Sequence, residues 1–287
     1  MQTSSVFVAL VGRPNVGKSS LTNRLVGEKV AIVAPKPQTT RTRITGIVTR
    51  GPVQYVLLDT PGVHIPRTKL GERMSKAASD SVADVDVSMM LFEPYGDFTE
   101  AEQAMLKALK ANGGPALAVI NKTDTLKNEA DLEIRRRQLS ELGVFDQVLA
   151  TSVREDKGCE ELFDVLARYA VEGPHFFPDD AYTDMPEKAL VSEILREKML
   201  LNLRDEIPHG IAVTVERFKE RPDKNIIDID VNIYCERKML KKIASQARLD
   251  CEDFLGAKVN LQCWVKVKDD WRDSDFLLND FGFKQTN

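Results

Sequence analysis

Gly12-Arg13-Pro14-Asn15-Val16-Gly17-Lys18-Ser19 has the spacing G-x-x-x-x-G-K-S, between an apolar run at residues 6–11 and a helix-like stretch that opens at Ser20. Glycines at both ends let the backbone wrap so that successive N–H groups point inward, and a helix N-terminus adds the positive end of its dipole. That arrangement suits phosphate oxygens. Lys18 supplies a point charge for the β- and γ-phosphates, and the Ser19 hydroxyl suits Mg²⁺, a hard cation that takes oxygen ligands. A glycine turn with an incidental lysine is the bland alternative, and a strand before with a helix after argues against it.

Two more motifs follow in order. Asp59-Thr60-Pro61-Gly62 closes an apolar run, where a carboxylate can hold Mg²⁺ through water and the Gly62 N–H can reach a γ-phosphate. Asn121-Lys122-Thr123-Asp124 closes another. An acid there can accept both N1–H and N2–H₂ of guanine, a donor pair that adenine lacks. Lys122 can lie along the base, and Asn121 can tie this loop to the phosphate loop. Each motif alone is often just a turn. In order, at the carboxyl ends of strands where doubly wound sheets bind ligands, the three point to GTP or GDP with Mg²⁺ and argue against a kinase or ATPase.

This set resembles the small GTPase superfamily. The resemblance implies a first switch within Pro37-Gln38-Thr39-Thr40-Arg41, where a threonine senses the γ-phosphate and Mg²⁺. Thr40 is favoured, and the sequence does not choose between it and Thr39. It also implies a backbone contact to guanine at Thr151-Ser152-Val153, with Val153 where the family has alanine. The expected nucleotide contacts are therefore Gly12 through Ser20, Asp59, Thr60, Pro61, Gly62, Asn121, Lys122, Asp124, Ser152 and Val153. The expected metal set is Ser19, Thr40 and Asp59, and Lys18, Thr40 and Gly62 are the expected catalytic groups. Val63 stands where Ras-like enzymes carry a glutamine that orients water. Valine cannot hydrogen-bond water, so hydrolysis is expected to rest on positioning and electrostatics, with slow unaided turnover. A monovalent cation or a bound partner is a candidate for the missing component.

These residues need a scaffold, and its elements are visible in the hydropathy pattern. Apolar runs at residues 6–11, 43–48, 55–59, 87–92, 116–120 and 147–150 are mostly unbroken Val, Ile and Leu, as in strands buried on both faces. Helical patterns at 99–111 and 129–142 lie between them, the first opening on a Thr-x-x-Glu cap. The alternation predicts an α/β fold with a doubly wound, mainly parallel sheet over residues 1–172, which the resemblance implies is a P-loop GTPase domain. Residues 173–186 hold three prolines and read as a structured linker. Residues 187–287 read as a small α+β domain. A helix over 187–204 places Leu190, Val191, Ile194, Leu195 and Leu201 on one face. Period-two alternation at 211–215, 227–235 and 259–267 predicts an antiparallel-type sheet with one covered face. A helix over 239–255 covers it through Leu240, Ile243, Ala244, Ala247, Cys251 and Phe254.

At 287 residues the chain suits two domains, and 43% hydrophobic with 29% charged residues excludes extensive disorder or a fibrous repeat. No apolar run approaches the ~20 residues that span a bilayer, and residues 1–5 carry no basic start of a signal peptide. The four cysteines form no C-x-x-C pair and are expected to be reduced, packed thiols of a cytoplasmic protein. Lys and Arg number 40 against 44 Asp and Glu, so any nucleic acid must be held by a local patch.

Past residue 170 the resemblance narrows. Phe176-Phe-Pro-Asp-Asp-Ala-Tyr-Thr-Asp184, Glu193-Ile-Leu-Arg-Glu-Lys198, Glu206-Ile-Pro208 and Cys263-Trp-Val-Lys-Val-Lys268 resemble the Era family of bacterial GTPases, and the likeness covers nearly the whole chain. It implies a type II KH domain (helix–strand–strand–helix–helix–strand) that binds the 3′ end of small-subunit (16S) ribosomal RNA and a role in assembly of that subunit. It further implies a cytoplasmic monomer, with peripheral contact at the inner face of the cell membrane as a further candidate. A KH domain clamps about four nucleotides with a G-x-x-G loop. Here the chain departs from the family. Beyond residue 180 the glycines are Gly210, Gly256 and Gly282, so no G-x-x-G exists, and one helix with its loop is absent relative to the family. Either the clamp is lost or the protein carries residues there that this chain lacks; the Era-like flanks favour the second. The candidate RNA contacts are Arg237, Lys238, Lys241, Lys242 and Arg248, a stretch with no acid. Trp264 and Trp271 are candidates for base stacking, with Trp264 better suited to packing at a sheet edge. A second domain that docks on a protein instead of RNA is the rival reading.

Overall fold

Alternate residues of the first strand enter two different apolar layers, and this is what puts helices on both sides of its sheet. In the computed structural model, which describes residues 2–66, 68–202, 210–235, 241–268 and 271–283, that strand is β1 (Ser4–Gly12). It is followed by α1 (Lys18–Val26), β2 (Ile44–Arg50), β3 (Val53–Asp59), α2 (Lys69–Ala83), β4 (Val87–Phe92) and α3 (Glu100–Asn112). Then come β5 (Ala116–Ile120), α4 (Glu129–Ser140), β6 (Gln147–Ala150), α5 (Cys159–Leu166) and β7 (Val171–Glu172). Val6, Val8 and Leu10 join Leu21 and Leu25 of α1 and Leu162 and Leu166 of α5 in one layer. Val11, Met90 and Phe92 join Met105 and Leu109 of α3 and Leu139 of α4 in the other. All are nearly or fully buried, each worth roughly 1.5–3 kcal/mol of apolar burial.

The sheet order is β2-β3-β1-β4-β5-β6, with β7 antiparallel on β1. All neighbours along that order are parallel except β2, which pairs antiparallel with β3. Register brings the carboxyl ends level: Leu10 pairs with Asp59, Gly12 with Leu91, Phe92 with Ile120, and Ile120 with Ala150. The Thr99 side chain accepts from the Glu102 N–H while the Glu102 carboxylate accepts from the Thr99 N–H, the capping box expected for α3. The proline-rich stretch is laid along strands: Ile47 N–H donates to Tyr182 O at 2.8 Å, and the Gln54 side chain bonds the backbone of Phe176 and Phe177.

Chain packing divides the molecule into two compact units, residues 1–31, 40–66 and 74–184, and residues 32–39, 67–73 and 185–287. The second holds α6 (Glu187–Asn202), β8 (Ala212–Arg221), β9 (Ile226–Cys235), α7 (Lys241–Leu255), β10 (Lys258–Val267) and α8 (Asp275–Asp280). Its sheet order is β10-β9-β8. Strands β8 and β9 are antiparallel, but β9 and β10 are parallel, which corrects the antiparallel-type sheet expected from alternation. Alternation reports which face is covered; direction is set by the connection, and α7 carries the chain back to start β10 alongside β9. Leu190, Val191, Ile194 and Leu195 of α6 pack with Ala247 and Cys251 of α7 on Ile227, Ile229, Val231 and Val259. Leu201 is 50% exposed, whereas Met199 and Leu200 are buried. Leu201 lies seven residues, about two turns, past Ile194 and so on the same side of α6, and its exposure falls in the last turn of the helix. Phe254, in the last turn of α7, is 41% exposed rather than part of the cover.

Candidate functional site

The loop between β1 and α1 folds as the phosphate-loop pattern requires. Gly17 has φ +104, and a Cβ there would come within 2.2 Å of Asn121 Nδ2. Glycine is thus demanded both by the left-handed backbone and by the approach of the base-side loop. Lys18 is buried, and its ammonium donates to Gly12 O at 2.9 Å and Arg13 O at 3.0 Å, at the mouth of the loop. Gly62 meets the same loop from the other side: a Cβ there would lie 2.7 Å from the Pro14 backbone, and the Val63 N–H donates to Gly12 O at 3.0 Å. The Val63 side chain packs on the second apolar layer.

Ser19, Thr40 and Asp59 converge. Ser19 Oγ donates to Asp59 Oδ2 at 2.6 Å and lies 2.9 Å from Thr40 Oγ1. Thr39 turns elsewhere, its hydroxyl donating to Lys36 O at 2.6 Å. The geometry therefore sends the two threonines to different partners, and Thr40, the one favoured from the sequence, is the one that meets Ser19. Asp59 is fully buried, and its Oδ1 has no hydrogen-bond partner. A buried carboxylate oxygen without a donor beside two hydroxyl oxygens is an all-oxygen donor set that fits Mg²⁺.

Burial pushes the Asp59 carboxyl up to about 6, against the pull of Lys18 and the Ser19 hydrogen bond. Burial likewise holds the Lys18 ammonium down to about 8 although Asp59 is near. Because the folded Asp59 binds its proton more tightly than an unfolded one, this group costs folding stability as pH rises from about 4 to about 6. A cation needs the ionised form. Mg²⁺ affinity of the GTP-loaded protein is thus expected to fall by up to about tenfold per pH unit below pH 6, and a Mg²⁺ titration between pH 5 and 8 measures it. A flat profile would remove Asp59 from the metal set.

At the base-side loop, Asn121 Nδ2 donates to Val16 O at 2.9 Å and its Oδ1 accepts from Thr151 Oγ1 at 3.0 Å. This is the tie between loops expected of Asn121. Lys122 has φ +64, and its ammonium donates to Asn15 O at 2.6 Å. Asp124 Oδ1 accepts from Ser152 Oγ at 2.7 Å, with the Arg154 guanidinium 3.9 Å from Oδ2. Val153 packs its side chain on the first apolar layer. Thr60 is buried, and its hydroxyl donates to Leu10 O at 2.6 Å, a structural bond inside the sheet edge.

Sequence reasoning missed three residues here. Glu93, one residue past β4, accepts from both Arg13 and Lys122. Within the second unit, the Glu197 carboxylate accepts from the Val33 N–H at 2.9 Å, and the Arg196 guanidinium donates to Thr39 O. Both are buried in α6, and Leu200 covers Ile32 and Ala34 beside them. In the sequence both lie in the Glu193–Lys198 stretch that carries the family resemblance, but nothing in that stretch assigned either of them a contact with residues 32–39.

Of the RNA-contact candidates, Arg237 and Lys238 lie outside the described residues. Lys241 and Lys242 open α7, with side chains also outside that description. Arg248 is partly committed, donating to Glu252 Oε1 at 2.7 Å one turn further on. Trp264 is 46% exposed on the edge strand β10, so it is available rather than packed. Trp271 is fully buried with Nε1 donating to Gly210 O at 3.0 Å, which removes it as a stacking platform. Cys159, Cys251 and Cys263 are free thiols.

A family model described as 50S ribosome-binding GTPase matches residues 7–122. GTPase Era of Clostridium novyi strain NT is 43% identical over 294 residues, covering 98% of this chain and 99% of the relative. GTPase Era of Caldanaerobacter subterraneus subsp. tengcongensis is 44% identical over 289 residues, covering 96% and 97%. The first alignment is longer than the 287 residues of this chain, so that relative carries residues this chain lacks. Among solved structures, Era in complex with MgGDPNP and nucleotides 1506–1542 of 16S ribosomal RNA superposes with a TM-score of 0.92 at 31% identity, covering 98% of this chain and 99% of that one. An Era variant of Aquifex aeolicus bound to GDP·AlF4⁻ gives 0.92 at 31% identity, covering 99% of each.

Proposed function

Because this chain belongs to the Era family of GTPases, we propose that it is a GTP-driven switch that binds small-subunit ribosomal RNA near its 3′ end and serves assembly of that subunit. It binds GTP with Mg²⁺ and hydrolyses GTP to GDP and phosphate. The observation that carries the assignment of residues is the meeting of Ser19, Thr40 and Asp59, with its unpartnered carboxylate oxygen, at one end of a loop edge whose other end presents Asp124.

In this reading Gly12 through Ser20 wrap the phosphates and Lys18 compensates their charge. Ser19, Thr40 and Asp59 hold the cation, whose chemistry is to neutralise charge on the β- and γ-oxygens. Asp124 reads guanine, with Ser152 orienting its carboxylate and the Val153 N–H left for the base. Val63 cannot bind water, so Gly62 and Thr40 supply the polar groups nearest the γ-phosphate, and a monovalent cation or a partner completes the arrangement. Residues 1–172 do this chemistry, 173–186 link, and 187–287 take RNA through Arg237, Lys238, Lys241, Lys242 and Arg248, with Trp264 as an added stacking surface. The protein works as a cytoplasmic monomer, any membrane contact being peripheral; no helix among the described residues is long and apolar enough to cross a bilayer.

Coupling runs through residues 32–39, which pack within the second unit on Arg196, Glu197 and Leu200 and lead by one peptide bond into Thr40. A ligand shifts such an equilibrium only through differential affinity for its two states. The affinity of an oligonucleotide with the 3′-terminal 16S sequence is therefore expected to differ by about fivefold or more between the GDP form and a non-hydrolysable GTP form. Equal affinities would sink the switch. Crosslinks that avoid residues 187–287 would sink the RNA assignment.

A further inference from the structure

We propose that Glu93 is a positioning residue for the nucleotide site, holding the Lys122 ammonium in place by clamping the phosphate loop and the base-side loop to one carboxylate. The inference rests on the reading of those two loops given above. Strand β4 lies between β1 and β5, so the residue after Phe92 emerges between the loops that follow those strands. Glu93 Oε1 accepts from Lys122 Nζ at 2.6 Å, and Oε2 accepts from the Arg13 guanidinium. The same Lys122 ammonium donates to Asn15 O at 2.6 Å. One carboxylate thereby joins Arg13, Lys122 and, through the lysine, the backbone at Asn15.

The physical argument concerns freedom. A lysine side chain is long and rotatable, with three donors and no preferred direction. Tied to Asn15 O alone, the Lys122 ammonium can swing; tied also to Glu93, it is pinned along the edge where the base must lie. The Glu93 side chain is only 28% exposed, so salt screens the pair less than it would a surface ion pair. Burial by itself would raise the Glu93 carboxyl, yet Lys122 and Arg13 hold it below the ordinary range, so it is ionised at neutral pH. The guanine edge is read by Asp124, which does not touch Glu93, so this clamp sets affinity rather than base choice.

The test uses the full chain with Glu93→Gln, which keeps shape and one acceptor and removes the charge. Equilibrium binding of GDP and of a non-hydrolysable GTP analogue is expected to weaken about tenfold for each, with KM rising alike, kcat within about twofold, and the guanine-over-adenine ratio kept. Since the clamp acts through Lys122, adding Glu93→Gln to Lys122→Ala is expected to cost less than about twofold more. GDP affinity of Glu93→Gln within about twofold of the parent, or full multiplication of the two losses, overturns the proposal. Glu93→Asp retains the charge and is expected to lose less than Glu93→Gln; an equal or greater loss also overturns it, and this variant answers if the glutamine chain does not fold. A nucleotide site that survives Lys18→Ala would sink the underlying reading, whereas an inert Glu93→Gln beside an inactive Lys18→Ala sinks this inference alone.

Discussion

Lys18→Ala is expected to weaken binding of GTP and GDP at least about a hundredfold, roughly 3 kcal/mol, as seen in a titration with fluorescent nucleotide at pH 7.5. The size follows from where the ammonium sits. It is buried at the mouth of the phosphate loop and bonded to Gly12 O and Arg13 O, so it is aimed before any phosphate arrives. Truncating one partner of a buried, hydrogen-bonded charge pair leaves the other uncompensated, and here the other is a polyphosphate. The pH dependence carries a sign. Burial sets the Lys18 ammonium to about 8, against an ordinary 10.5, so in the folded chain the charge is lost earlier on raising pH. Its cost to folding is complete below about pH 8 and fades towards 10.5, while phosphate binding requires the charged form. Nucleotide affinity of the parent is thus expected to drop above about pH 8, and Lys18→Ala is expected to lack that drop. Thermal melting recorded beside the titration separates lost binding from lost fold. Affinity within about tenfold of the parent would show that the loop backbone alone holds the phosphates.

The second large effect is a change of base. Asp124→Asn is expected to cost about a hundredfold or more in GTP affinity and to make XTP the better ligand, measured by competition among GTP, XTP and ATP. Guanine offers two donors, N1–H and N2–H₂, to one carboxylate. An asparagine keeps an oxygen that can still accept from Ser152 Oγ, now 2.7 Å from Asp124 Oδ1, but turns an amide donor toward the guanine N2–H₂. Xanthine has a carbonyl at that position, which accepts what guanine repels. A buried donor facing a donor loses the bond and keeps the desolvation cost. If the variant still ranks GTP above XTP, then Asp124 does not select the base.

The parts of the site built from neighbouring residues were legible before any coordinates. A phosphate loop is made by consecutive backbone N–H groups, so its chemistry appears as one contiguous stretch bracketed by two glycines and closed by a lysine, and Gly12–Lys18 shows it. Strand ends were legible too, because β1, β3 and β5 are largely buried and read as apolar runs that stop where the motif residues begin. The tie from Asn121 to the phosphate loop followed from the chemistry of an amide at that edge, and its side chain does reach Val16 O.

Long-range pairing was not legible. Thr39 and Thr40 are chemically alike, and only the path of the chain sends one hydroxyl to Ser19 and the other to Lys36 O. Glu93 meets partners 80 residues before it and 29 after it, and no local pattern encodes such a meeting. The burial of Trp271 depends on the carbonyl of Gly210, 61 residues away, and the parallel pairing of β9 with β10 depends on the return path through α7.

Sequence alone, then, specified the ligand class, the order of the three motifs and the α/β frame that carries them. Packing specified which threonine meets Ser19, that α6 grips residues 32–39, and that one glutamate joins two loops. The reason is the range of the interactions. Hydrophobic period and turn chemistry act over a few residues and are written in the chain's local order, whereas charge pairs and caps between distant segments exist only once the backbone has brought them within about 3 Å.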